Sequence, residues 1–205
     1  MFDRNHLPEL YRKMHQLGYI DWRRHRERYV WLAEMEWIPF DEVVNYQYET
    51  DMTQEVLPFA FTGGDHLWVF IENGTEEPYI GRYYHPEDEG KYCAENLAGA
   101  ILRSIIEFAA EPSVWLDENG KVREIDYSEE EMQGRMNRYC EIFDGLLHPE
   151  YLEVIRQLSE KRFQKCTYHH QGQWLALLSS EEEEAMVRRY LNFRHFDDTF
   201  AWYPY

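Results

Sequence analysis

An apolar stripe near the middle of the chain restricts the fold more than any other feature. Ala94, Leu97, Ala98, Ile101, Leu102, Ile105, Ile106 and Ala109 recur at steps of three and one. That spacing keeps them on one face of a helix with 3.6 residues per turn. Glu95, Arg103 and Glu107 fall off the stripe. Such a helix needs a partner layer to cover it, and the preceding residues supply one. The runs Leu57 to Glu72 and Tyr79 to His85 are rich in Phe, Tyr, Trp, Val and Ile and bounded by Gly, Asn and Pro, the composition of strands. Thr62-Gly63-Gly64-Asp65 is turn chemistry, and Asn73-Gly74 marks a second turn lengthened by Glu76, Glu77 and Pro78.

The segment Leu57-Pro58-Phe59-Ala60-Phe61-Thr62-Gly63-Gly64-Asp65, the Trp/Phe-rich run after it, the strand ending Tyr83-Tyr84-His85 and the closing helix resemble the SMI1/KNR4, or SUKH, family. Leu7-Pro8-Glu9-Leu10-Tyr11 is similar to the family's early Leu-Pro-x-x-Tyr helix, and Trp31 to Phe40 to its next strand and turn. The Asn-Gly-Gly that often follows the first helix is replaced by Gly18-Tyr19-Ile20. The resemblance covers residues 5 to 111. It implies an α+β binding domain without catalytic residues, often a bacterial immunity protein that blocks a toxin.

The net charge is −18, from 21 basic and 39 acidic residues. Free nucleic acid and anionic membranes are therefore poor ligands, because phosphate binding needs a Lys/Arg footprint. A basic protein partner suits the field, which would speed encounter. Residues 1 to 28 hold seven basic and four acidic groups, so the remainder carries −21. The basic end reads as a solvated face. Cys93, Cys140 and Cys166 are scattered without a C-x-x-C, which argues for a reducing, cytoplasmic setting and against a disulfide framework. No signal pattern or 18-residue apolar run is present, so neither secretion nor a membrane span is expected.

In chain order, Leu7, Leu10, Tyr11, Met14 and Leu17 form a helical stripe that Gly18 ends. Tyr29 to Ile38 reads as a strand, Trp31, Ala33, Met35 and Trp37 alternating with Glu34 and Glu36, the pattern of a sheet with one covered face. Phe40 to Tyr48 suits a short helix or turn. Val114-Trp115-Leu116 and Val122 to Tyr127 suit a small hairpin around Asn119-Gly120. Ser128-x-x-Glu131 and Ser180-x-x-Glu183 are capping boxes, and a helical hairpin breaks at His148-Pro149. Arg162 to Ser179 suggests two strands around His169-His170. The C-terminal Phe200-Ala201-Trp202-Tyr203-Pro204-Tyr205 is too aromatic to fray and is expected to dock on the body. Together these patterns predict an α+β fold: a mostly antiparallel sheet covered on one face by helices over residues 1–111, and a mainly helical C-terminal extension, 112–205, packed on it.

No segment matches a phosphate loop, a G-x-S-x-G elbow or an H-E-x-x-H zinc helix, so no enzyme activity and no cofactor are expected. A metal-dependent hydrolase using His85, His169 or His170 is the alternative in another class, and a regulatory scaffold of the same fold is a second. His85-Pro86-Glu87-Asp88-Glu89 also reads as a solvated acidic loop. Cys140 lies on a core stripe and reads as inert. The partner-binding candidates are Glu76, Glu77, Glu87, Asp88 and Glu89, in loops of the first sheet, with exposed aromatics as anchors.

Overall fold

A computed structural model describes every residue except 1, 4–6, 49–51, 65, 85–86, 169–171, 197 and 204–205. In chain order the elements are α1 (Glu9–Gln16), β1 (Glu36–Trp37), α2 (Phe40–Val44), β2 (Val56–Phe61), β3 (Leu67–Ile71), β4 (Tyr79–Tyr83), β5 (Glu89–Ala94), α3 (Leu97–Ala110), β6 (Val114–Leu116), β7 (Val122–Ile125), α4 (Glu129–Phe143), α5 (Pro149–Glu160), β8 (Gln164–Tyr168), β9 (Gly172–Ala176), α6 (Ser180–Leu191) and β10 (Thr199–Ala201). This is an α+β fold with two antiparallel sheets. The chain divides into two units, Met1–Ser104 with Leu191–Tyr205, and Ile105–Tyr190. Among the described residues no helix is long and apolar enough to cross a membrane.

The first unit holds a six-stranded sheet in the order β1-β2-β3-β4-β5-β10. Successive residues of a strand face opposite ways, so Trp68 and Phe70 of β3 share one face while Val69 and Ile71 share the other. On the first face Phe59 stacks on Phe70 at 4.2 Å, and Tyr11 of α1 meets Phe70 edge-on at 5.3 Å. The Tyr11 hydroxyl donates to the Ile38 carbonyl at 3.3 Å, and burial pushes its pKa well above that of a free phenol. Gly18 takes a φ of 79° as α1 ends, its N–H donating to the His15 carbonyl, which is the left-handed stop the sequence indicates.

The second face is closed as well, and not by a helix. Val56, Val69, Ile71 and Tyr83 pack with Met52, Phe200 and Trp202, with Tyr46, Tyr48, Tyr79, Tyr92 and Tyr203 against them. Of the aromatic C-terminus, Thr199–Ala201 pair with β5 as β10 and Phe200, Trp202 and Tyr203 dock here; Pro204 and Tyr205 lie outside the described residues. The Phe200 ring lies against Gly81 and Gly90, where a Cβ on either glycine would overlap it.

The strand expected over Tyr29 to Ile38 is a correction. Only Glu36–Trp37 is strand, preceded by an isolated bridge between Leu32 and Met35. A tight turn at Ala33-Glu34 interrupts the run, with Glu34 at a φ of 54°. The central helix begins after Asn96, whose side chain accepts from the Gly99 N–H at 3.0 Å, so Ala94 belongs to β5. It is buried beyond one stripe, with Ala100, Ser104 and Phe108 enclosed alongside Leu97, Ile101, Leu102, Ile105, Ile106 and Ala109. A helix apolar on most sides is a core helix.

In the second unit β6 pairs with both β7 and β9, which joins the two short hairpins of the sequence into one sheet ordered β7-β6-β9-β8. Ser128 and Glu131 make the expected capping box at the start of α4. Pro149 opens α5, with His148 Nδ1 accepting from the Glu150 N–H. Met132, Met136, Tyr139 and Phe143 of α4 and Ile155 and Leu158 of α5 are buried, and the two helices pack on each other as the expected hairpin. The α6 box differs from expectation by one residue. Ser179 Oγ accepts from the Glu182 N–H at 3.3 Å, and the Glu182 carboxylate accepts from the Ser179 N–H at 3.0 Å. Glu182 also pairs with Lys161 at 2.7 Å and accepts from Gln164, so Glu182 has partners in its own tertiary setting that Glu183 would have to forgo.

Candidate partner-binding surface

Antiparallel register lines up residues across the first sheet. Glu36 is opposite Phe61, Phe61 opposite Leu67, Leu67 opposite Tyr83, Tyr83 opposite Gly90, and Gly90 opposite Phe200. Directly opposed residues share a face, so this is one continuous row along one end of the sheet. Toward β10 the row is covered, because Trp202 stacks on Tyr83 at 3.9 Å. Toward β1 it is open: Glu36 is exposed and Phe61 is 45% exposed. At strand spacings of about 4.8 Å, Glu36 and the β5 end of the row stand roughly 19 Å apart.

The turn before β1 brings a further carboxylate to this end. Three groups fix Glu34 and its neighbour. The Trp68 indole N–H donates to the Glu34 carbonyl. Ser104 Oγ of α3 donates to the Ala33 carbonyl at 2.6 Å. The Glu34 carboxylate accepts from the Gly63 N–H at 3.3 Å. A left-handed φ at a residue with a Cβ survives only when its surroundings over-determine it. Trp68 is itself pinned, with the Arg82 guanidinium 3.9 Å above its ring. Trp31, which precedes the turn, is 42% exposed.

Of the residues predicted from sequence, Glu87, Asp88 and Glu89 lie at this same end and are exposed. The loop is tied down by its backbone, Glu87 N–H donating to the Tyr84 carbonyl and the Asp88 carbonyl accepting from the Trp202 N–H, both at 2.8 Å. The carboxylates of Glu34 and Glu36 thus stand beside exposed Phe61, while Glu87, Asp88 and Glu89 lie three strands away at the same end of the sheet, Glu89 alternating to the face opposite Gly90. Glu76 and Glu77 are elsewhere. They lie in the β3–β4 loop, which leaves the sheet beside the Ile71–Tyr79 pair, whereas the β4–β5 loop leaves beside Tyr83. Four residue steps at about 3.4 Å separate those ends by roughly 14 Å, and the register does not bring the two acidic loops together.

Glu77 meets other acids at its own end. Partial desolvation raises its carboxyl pKa first, and Glu9 and Glu76 raise it further against a weaker opposing pull from Arg12. Glu9 is held below the usual carboxylate range by its hydrogen bond and ion pair with Lys13 at 2.9 Å. In the basic N-terminal segment Arg23 pairs with Glu42 and Arg24 with Asp41 of α2, each at 2.6 Å, which accounts for two of its cations without a ligand.

His85, His169 and His170 lie outside the described residues, as does Asp65 of the Gly-Gly-Asp turn. Among the described residues no three His, Cys, Asp or Glu side chains gather as a metal site. Cys93 and Cys166 are buried and Cys140 half-buried, all as free thiols. Burial pushes the Cys140 and Cys166 thiols up, away from the thiolate a nucleophile needs. Sequence reasoning missed Glu34, Glu36 and Phe61 as a group. Phe61 carried a faint signal, being the last residue before the Thr62-Gly63 turn. The left-handed turn at Glu34 carried none, because the groups that hold it, Gly63, Trp68 and Ser104, are remote in sequence.

No protein-family model, no curated protein and no solved structure matches the chain.

Proposed function

We propose that this chain is a non-catalytic protein-binding domain that engages a basic protein at the Glu36–Phe61 end of its first sheet. One observation carries the reading: a half-exposed Phe61 beside the Glu34 and Glu36 carboxylates, at the sheet end that also carries the acidic β4–β5 loop, in a chain of net charge −18. An exposed aromatic supplies apolar area to a partner, and surrounding carboxylates orient cationic groups around it. The resemblance to the SMI1/KNR4 family supplies the kind of partner. It is a toxin domain of a bacterial toxin–immunity pair, neutralised in the cytoplasm by occlusion. Three free thiols suit that compartment. Affinity capture from the native cell tests the proposal, using wild type, Phe61→Ala and the triple reversal Glu87→Lys, Asp88→Lys, Glu89→Lys. The expected result is one basic protein retained by wild type and depleted by both variants. Equal retention by folded Phe61→Ala and triple-reversal proteins would overturn it.

A further inference from the structure

The second face of the first sheet contains a slot with a shaped occupant. Its floor is Gly81 of β4 and Gly90 of β5, neighbouring positions that both lack a Cβ, and the Phe200 ring fills it beside Ile71. Two residues on, Trp202 lies flat on Tyr83, the rings 3.9 Å apart and tilted by 8°. Alternate residues of an extended segment face the same way, so a Phe-x-Trp strand presents both rings to the sheet together. The backbone is gripped at Trp202, whose N–H donates to the Asp88 carbonyl and whose carbonyl accepts from the Thr53 N–H. Upstream, Phe193 and His195 rest on Tyr79 at 5.5 and 5.3 Å. Thr199–Ala201 pair with β5, and backbone bonds from Tyr92 N–H to the Asp198 carbonyl and from Trp202 N–H to the Asp88 carbonyl extend the ladder at either end, so ladder and aromatic anchors hold this arm together.

We propose that this slot is a strand receptor able to exchange its resident ligand, the chain's own C-terminal arm, for the same arm of a second copy. Every copy carries both receptor and ligand, so two copies that exchange arms close reciprocally without leaving either slot empty. The arm's own sequence is the occupant whose fit to the two glycines is drawn on the sheet, which identifies a second copy as the partner. Within one chain the arm is present at an effective concentration of about millimolar, so the self-filled form prevails in dilute wild type and exchange emerges where self-filling is blocked. The exchange also reaches the acidic loop, because the Asp88 carbonyl is one of the groups holding Trp202. The proposal stands apart from the identity of any basic partner.

The test uses two full-length variants. Gly81→Val with Gly90→Val closes the slot and leaves the arm intact. Phe200→Ala with Trp202→Ala leaves the slot open and removes the anchors. Each is checked for folding by circular dichroism, then both are mixed in equal amounts and weighed by native mass spectrometry. The expected result is a heterodimer in the mixture, about tenfold or more above the dimer in either variant alone. A mixture that stays monomeric while both variants remain folded would overturn the proposal. Should the slot-closed variant fail to fold, a fluorescent peptide spanning Asp198–Tyr203 serves as the probe. It should bind the Phe200→Ala, Trp202→Ala protein at least about tenfold more tightly than wild type, whose slot is filled at high effective concentration. Equal binding to the two proteins would refute the exchange.

Discussion

Replacing Glu34 in two ways separates the strain of its turn from the use of its carboxylate. Glu34 sits at a φ of 54°, where a residue with a Cβ incurs roughly 1–2 kcal/mol relative to glycine. Glu34→Ala removes the carboxylate and keeps the strain, whereas Glu34→Gly removes both. Each loses the acceptor for the Gly63 N–H, so that contact cancels in their difference. Glycine loses about 0.5–1 kcal/mol more backbone entropy on folding than alanine does. The balance leaves Glu34→Gly more stable than Glu34→Ala by about 0.5–1 kcal/mol, the reverse of the order at ordinary positions. Urea unfolding followed by tryptophan fluorescence measures this as a difference in midpoint at a common slope. An alanine variant as stable as the glycine variant, or more so, would mean that Glu34 is not held left-handed. The contacts of Trp68 and Ser104 with this turn would then lose their assigned role. Both variants should weaken partner association alike, because both lack the carboxylate.

Ile101→Asp and Ile105→Asp each place a charge at a fully buried position of α3 and should cost more than about 3 kcal/mol; unchanged thermal melting of both would put that stripe in solvent. At Glu182 burial opposes ionisation, but hydrogen bonds from Lys161, the Ser179 N–H and Gln164 outweigh it and depress the pKa. Its stabilisation is therefore present above the ordinary carboxylate range and is lost as pH falls through the depressed value, and Glu182→Gln should cost about 1 kcal/mol at neutral pH and flatten that acid limb in a pH series of urea midpoints. Glu77 has the opposite sign: its raised pKa makes stability decline as pH rises from the ordinary carboxylate value through the raised one. Glu77→Gln should abolish that decline and raise neutral-pH stability by up to about 0.5 kcal/mol; a loss of stability would show that the crowding by Glu9 and Glu76 is not felt.

What could be read from the sequence was whatever local spacing determines. The steps of three and one along α3, the Ser128–Glu131 box and Gly18 at the end of α1 each specify their geometry within a few residues. The start of α6 was ambiguous, because Ser179 precedes Glu182 and Ser180 precedes Glu183 at the same interval. Lys161 and Gln164, remote in sequence, stabilise the first choice. The alternation from Trp31 to Trp37 fits a strand, and the turn that interrupts it is held by remote groups, among them Trp68 and Ser104, 34 and 71 residues from the carbonyls they bind. Docking of the aromatic C-terminus was legible as composition. Its slot was not, since Gly81 and Gly90 become neighbours only after β4 and β5 take their register. The same holds for the site. The charge of both acidic loops is plain in sequence, yet strand direction sends Glu76 and Glu77 to one end of the sheet and Glu87, Asp88 and Glu89 to the other.

Association rate against ionic strength, measured with the captured partner, bears most directly on the proposed surface. Screening at 0.1 M salt confines exposed charges to about 10 Å, so wild-type association should slow steeply as salt rises through that range, with little change in dissociation because the anchor, Phe61, is apolar and would be covered only on binding. Reversing Glu87, Asp88 and Glu89 to Lys should slow association at low salt and converge on wild type at high salt. Reversing Glu76 and Glu77 to Lys, at the far end of the sheet, should slow it less. A rate indifferent to salt, or an equal loss from the two reversals, would contradict the assignment of partner binding to the Glu36–Phe61 end.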